Sequence, residues 1–115
     1  MRNMLLAVAL LGALAPIPAV AADHDGNWKV TIVTEKGGCD RAYGYEVAVS
    51  QGQLRYVGGN GGFNFTGSVS PSGVVKVSVS SGSKRADGSG HLAANGGHGT
   101  WRGQECAGYW EAERR

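Results

Sequence analysis

The sequence predicts an all-β fold: a small eight-stranded antiparallel up-and-down barrel closed by one disulfide and preceded by a signal peptide. Three observations carry this expectation. Short runs of alternating apolar and polar residues recur from residue 26 to the end of the chain. Glycine supplies 20 of the 115 residues, and nothing after residue 22 shows a 3.6-residue apolar period, so helices are not expected. The two cysteines, Cys39 and Cys106, stand far apart in a chain that opens with an export signal.

The leader is read over 1–22. Arg2 makes a positive start, 4–14 is an apolar run too short to span a bilayer, and Ala15 to Ala22 supply the small residues of a cleavage site. Cutting after Ala21 or after Ala22 fits equally. No cysteine follows the cut, so no lipid anchor is expected, and no second apolar run offers a membrane anchor. The remaining single domain, 23–115, is expected in the periplasm or outside the cell as a monomer. At about 90 residues its core leaves a thin stability margin, so a staple matters.

The strands follow in order. The first, 26–34, turns Trp28, Val30 and Ile32 to one face, and the second, 41–50, does so with Tyr43, Tyr45, Val47 and Val49. A two-residue turn at Gln51-Gly52 starts the third, 53–58, and sets Val49 opposite Leu54 and Val47 opposite Tyr56. Asn60-Gly61 is the strongest short hairpin signal in the chain and sets Tyr56 opposite Phe65 in the fourth, 63–70. Pro71-Ser72-Gly73 then suits a turn that sets Val69 against Val75 and Phe65 against Val79 in the fifth, 74–80.

The sixth strand, 83–94, is the weakest, with Ala86, Gly88, Gly90 and Leu92 inward and Asp87 positioned to pair with Lys76. A turn at Gly96-Gly97 leads to the seventh, 98–103, and sets Leu92 opposite Trp101. The eighth, 107–115, carries Tyr109, Trp110 and Ala112.

Alternate loops of a meander lie at the same end. Cys39 falls in the first loop and Cys106 in the seventh, so with eight strands both lie at one end and meet only if the first strand lies beside the eighth. A bridge spans only about 4.4–6.8 Å between Cα atoms, so pairing implies closure into a barrel. Closing a loop of about 70 residues is worth about 4 kcal/mol in the chain-entropy model. Two buried free thiols, and a sandwich in place of a barrel, are the alternatives.

Gly26-Asn27-Trp28 at the head of the first strand resembles the opening of the calycin-like barrels. That resemblance implies an arginine of the last strand packed on the tryptophan, here Arg114 or Arg115. More of the chain resembles small exported bacterial one-disulfide barrel proteins of uncharacterised function. The matching features are Gly26-Asn27-Trp28, Cys39-Asp40, the hairpin from Gly67-Ser68-Val69 to Val79, Gly88-Ser89-Gly90, and Trp101-Arg102-Gly103 through Trp110 to Arg114-Arg115. A further likeness is to periplasmic inhibitors of secreted metalloproteases, in which the amino-terminal segment enters the protease cleft; Asp23-His24-Asp25 occupies that place here. Those inhibitors close a shorter cysteine loop.

Chemistry is sparse. No serine lies in a Gly-x-Ser-x-Gly elbow, and Asp40, Glu46, Asp87 and Glu105 show no spacing that demands a paired acid and base. No catalytic residue, cofactor or metal site is expected. His91 and His98 flank a turn but do not face each other in the register that opposes Leu92 to Trp101. A start at Ala22 makes His24 the third residue, a pattern suited to Cu(II) or Ni(II), and a start at Asp23 destroys it. The glycines around Asn60 lack the aspartate of calcium-binding repeats, and Asn64-Phe65-Thr66 matches a glycosylation sequon. With Arg2 removed the charges nearly balance, so nucleic acid is not an expected partner.

The aromatic residues are the best site candidates. Trp28, Tyr43, Tyr45, Tyr56 and Trp101 either line a pocket for a small apolar ligand or fill the interior, and the short strands favour filling. Tyr43 and Tyr45 lie nearest the bridged end. The expected function is a non-enzymatic binding or structural module whose partner is a protein or a small apolar ligand. A periplasmic protease inhibitor acting through its amino-terminal segment is the alternative.

Overall fold

An alternating run can bury one face only when neighbouring strands satisfy its backbone, and here every run finds two neighbours. The computed structural model describes residues 23–58 and 62–115. Its strands are β1 (Gly26–Lys36), β2 (Ala42–Ser50), β3 (Gln53–Val57), β4 (Asn64–Val69), β5 (Val74–Ser81), β6 (Lys84–Leu92), β7 (Gly96–Gly103) and β8 (Ala107–Arg114). Each pairs antiparallel with the next, and β1 pairs with β8 to close the barrel. The leader read over 1–22 and the Asn60-Gly61 turn lie outside the described residues.

Closure and the disulfide agree. Cys39 and Cys106 are bonded, their Cα atoms 6.2 Å apart across 67 residues of sequence. Both sit in loops at one end of the barrel, here called the mouth, and the β1–β8 ladder runs from Trp28 opposite Arg114 to Lys36 opposite Ala107. Its register shifts between Thr34 and Lys36. The bond points to an oxidising, extracytoplasmic environment.

Four early pairings match their sequence-based expectation. Val49 faces Leu54, Val47 faces Tyr56, Val69 faces Val75 and Phe65 faces Val79. Gln51 and Gly52 turn β2 into β3 with φ of 52° and 80°, the two positive angles that a type I′ turn requires. The β3–β4 ladder opposes Leu54 to Gly67. Extending that register by two residues brings Tyr56 to Phe65, whose ring centroids lie 6.3 Å apart.

Two expected pairings are corrected. Asp87 lies opposite Ser78, while Lys76 faces Ser89. Asp87 is bound instead by Arg85, two residues back on the same face of β6, at 3.1 Å. The β6–β7 turn is also centred two residues earlier than expected: Ala93 N–H donates to the Gly96 carbonyl, and Leu92 faces Gly97 while Trp101 faces Gly88. A shift of the turn by two residues keeps every side chain on its expected face. At the packed end this register also suits volume: Leu92 fills the space beside Gly97, where a Cβ would come within 2.5 Å of Leu92 Cδ2.

The end away from the mouth is packed solid. Trp28, fully buried, sits among Val47, Val49, Leu54, Val69, Val75 and Leu92. Trp110 lies over Gly90 and Gly99; a Cβ on either would come within 2.5–2.6 Å of its indole. Residues 23–25 fold across this floor: Trp28 Nε1 donates to the His24 carbonyl at 2.9 Å, and Gln51 N–H donates to Asp25 Oδ1 at 3.0 Å. Arg114, rather than Arg115, packs on Trp28, with its guanidinium carbon 4.7 Å from the ring centroid. Arg115 pairs with Glu46 at 3.0 Å.

Candidate functional site

Toward the mouth the barrel stops being filled. A cavity of about 510 Å³ opens at the disulfide end and reaches inward to the Trp28 and Trp110 floor. This differs from the packed interior favoured by strand length. The cause lies in what faces the aromatic residues across the barrel.

One wall is made of rings. Inward positions of β2, β3 and β4 supply Tyr43, Tyr45, Tyr56 and Phe65, and Phe63 precedes β4. Successive centroids are 6.4 Å apart for Tyr43–Tyr45, 5.8 Å for Tyr45–Tyr56 and 5.0 Å for Tyr56–Phe63. The rings are tilted against one another, the arrangement that the aromatic quadrupole favours. Val77 and Val79 of β5 continue this apolar surface.

The facing wall is bare. Ala86 and Gly88 of β6 and Gly103 of β7 point inward with almost no side chain. A Cβ built on Gly88 would meet nothing nearer than 3.5 Å, and one on Gly103 nothing nearer than 3.5 Å. Gly90 makes room for Trp110, whereas the space beside Gly88 stays open. Trp101 bounds the cavity between the two walls. Its Nε1 donates to the Val33 carbonyl at 3.1 Å, reaching past Gly108 of the intervening β8.

All five expected lining residues border the cavity, in different roles: Trp28 is floor, Trp101 a side, and Tyr43, Tyr45 and Tyr56 wall. Ala86, Gly88 and Gly103 were not read as site residues. The signal was their inward parity near the mouth end of β6 and β7, where neither strand carries a bulky residue beyond Trp101.

The interior is apolar and the polar groups gather at the rim. Lys84, Arg85, Asp87 and Glu105 border the opening, two cations and two anions. Arg85 and Asp87 neutralise each other, and the hydrogen bond from Arg85 is the main cause that lowers the Asp87 carboxyl below its usual range. Burial first, then the neighbouring Tyr43 and Tyr56, pushes the Tyr45 hydroxyl up to about 12. Tyr43, half exposed at the mouth, is raised by burial and by Asp40. Both remain neutral phenols at physiological pH and offer hydrogen-bond donors on an otherwise apolar wall.

Histidines lie elsewhere. His91 and His98 are direct cross-strand partners, a correction that follows from the shifted β6–β7 register. They lie on the outer face, away from the cavity, and the His91 ring sits about 3 Å from where a Gly73 Cβ would be. Among the described residues no three His, Cys, Asp or Glu side chains are grouped to hold a metal. His24 is buried in the floor, and its Nε2 has no hydrogen-bond partner there. No protein-family model matches the chain, nor does any curated protein or any solved structure.

Proposed function

We propose that the chain is an exported, non-enzymatic binding module, a calycin-like barrel that takes a small apolar molecule through its disulfide-bridged mouth. The observation that carries this reading is the open cavity of about 510 Å³ with an apolar interior and a polar rim. Its size lies within the range of pockets that hold small organic ligands, about 300–1,000 Å³. A preformed cavity favours binding, because it has little ordering cost at association. The bridge that ties two mouth loops together serves the same end. The calycin-like part rests on Gly26-Asn27-Trp28 and on the Arg114 guanidinium stacked over Trp28.

The alternative, protease inhibition through residues 23–25, needs that segment free to enter a cleft. Here Arg114 Nη1 and Nη2 donate to the Asp25 and Asp23 carbonyls, each at 2.7 Å, and Trp28 holds His24. These bonds tie the segment across the floor, at the end opposite the cavity.

Native mass spectrometry of protein purified from its host tests the reading. A noncovalent adduct that is lost on unfolding, and lost in a cavity-filling Gly88→Leu variant, is the expected result. An adduct retained in that variant would move attention away from the cavity, and inhibition of a co-exported protease that disappears on deleting 23–25 would favour the alternative. Intact mass of the same sample fixes the start of the mature chain.

A further inference from the structure

The geometry points to a planar, uncharged aromatic molecule as the ligand, held face or edge against Tyr45, Tyr56 and Phe65 in the slot left by Ala86, Gly88 and Gly103. This inference rests on the cavity reading above and specifies the chemistry of its occupant.

Shape is the first argument. The two walls are unlike: tilted rings on β2, β3 and β4, and almost bare backbone on β6 and β7. The space between them is what absent side chains at Gly88 and Gly103 leave, so a flat ring can lie against bare backbone on one side and against aromatic rings on the other. An alkyl chain would also gain burial there, yet it would gain nothing from the ring quadrupoles, whereas each well-placed aromatic pair adds beyond its buried area.

Polarity is the second. The charges bordering the opening are of both signs, Lys84 and Glu105 beside an Arg85–Asp87 pair that satisfies itself, so no cluster of one sign is built to hold a charged head. Deeper in, the lining offers no charged group to pair with one, and an unpaired charge there would cost more than ring contact returns. What the wall does offer is phenolic hydroxyl groups, on Tyr45 within and Tyr43 at the mouth. A neutral hydroxyl or carbonyl at the outer edge of the ligand matches them, since a tyrosine hydroxyl both donates and accepts.

Three probes separate the possibilities by titration calorimetry: 2-naphthol, its carboxylate counterpart 2-naphthoate, and 1-decanol. The expected result is binding of 2-naphthol, at least about tenfold weaker binding of the other two, and nuclear Overhauser contacts from naphthol protons to the Tyr45 and Phe65 rings. Phe65→Leu keeps an apolar side chain and removes a ring, so it is expected to weaken naphthol about three- to tenfold and decanol by a clearly smaller factor. Gly88→Leu is expected to abolish naphthol binding with the melting temperature equal or higher. Decanol binding as tightly as naphthol, or losing the same factor in Phe65→Leu, overturns the aromatic inference and leaves the cavity reading standing. Naphthoate binding as tightly as naphthol overturns the uncharged part. No binding of any of the three probes overturns the aromatic inference, and the purified-protein experiment then decides the cavity reading by itself.

Discussion

The Arg114 guanidinium lies over the Trp28 indole, 4.7 Å from its centroid, and from that position bonds three carbonyls. Nε donates to Ala94 at 2.9 Å, Nη1 to Asp25 and Nη2 to Asp23 at 2.7 Å each. One side chain from β8 thereby joins the amino-terminal segment, the β6–β7 turn and the buried ring at the head of β1. Trp28 completes the set by donating to His24.

Arg114→Ala is expected to cost about 2–4 kcal/mol, because it removes a cation–π contact and several charge-assisted bonds at once. Arg114→Lys keeps the charge but loses the planar fork, so it recovers less than half. Arg115→Ala, which breaks only an exposed pair with Glu46, is expected to cost under about 1 kcal/mol. Urea denaturation of the three variants checks the order; equal losses for Arg114→Ala and Arg115→Ala would refute this account of the floor.

The Cys39–Cys106 bond joins the β1–β2 and β7–β8 loops, and Cys39 N–H also donates to Cys106 Sγ at 3.2 Å. Replacing both cysteines by alanine is expected to lower stability by about 2–4 kcal/mol, mostly by freeing the unfolded chain. Amide exchange is expected to quicken most across 37–41 and 104–106, where loops held by the bridge open locally, and to quicken around Trp28 and Val47 only by the factor that the global loss sets. Mouth amides that quicken no more than those core amides would show that the bridge does not order the two loops.

Closure and most of the register were legible because they depend on neighbours in sequence or on a covalent bond. Val49 meets Leu54 through a two-residue turn, and Cys39 meets Cys106 only if β1 meets β8. The β6–β7 register differs because matching apolar with apolar sets Leu92 against Trp101, whereas this one hairpin sets large against small: Leu92 with Gly97 and Trp101 with Gly88. The cavity was beyond reach for a related reason. Whether Tyr45 fills space or lines it depends on Gly88 and Gly103 across the barrel, and alternation along a strand reports which face a residue takes, not what stands opposite it.

Alkali should expose the burial of Tyr45. Its hydroxyl is pushed up to about 12 in the folded state, against the ordinary value of about 10 in the unfolded chain. Above pH ~10 the unfolded chain loses this proton first, so it binds fewer protons than the native state and stability falls as pH rises. The contribution is fully present below about pH 10 and is gone once pH passes the folded value, about 12. Urea titrations at pH 9 and 11 are expected to differ by about 1 kcal/mol more in the native protein than in Tyr45→Phe. An equal difference in both would place Tyr45 in contact with water.

The contrast between Gly88 and Gly99 tests the division of the barrel into a packed floor and an open mouth. Both are inward glycines on neighbouring strands, with ordinary negative-φ backbone, so conformational strain does not separate them. Space does. A Cβ on Gly99 would run into the Ser89 carbonyl oxygen and come within 2.6 Å of the Trp110 indole, a ring locked by its bond from Nε1 to that same carbonyl, whereas one on Gly88 meets only ordinary contacts from 3.5 Å outward. Gly99→Ala is therefore expected to cost about 2 kcal/mol or more through overpacking. Gly88→Ala should be neutral or stabilise by up to about 1 kcal/mol, since alanine orders the unfolded chain and buries a methyl. Matched denaturation midpoints decide it: a loss at Gly88 comparable to that at Gly99 would mean that the mouth half closes around its interior in solution, and that the cavity is not a standing feature of the fold.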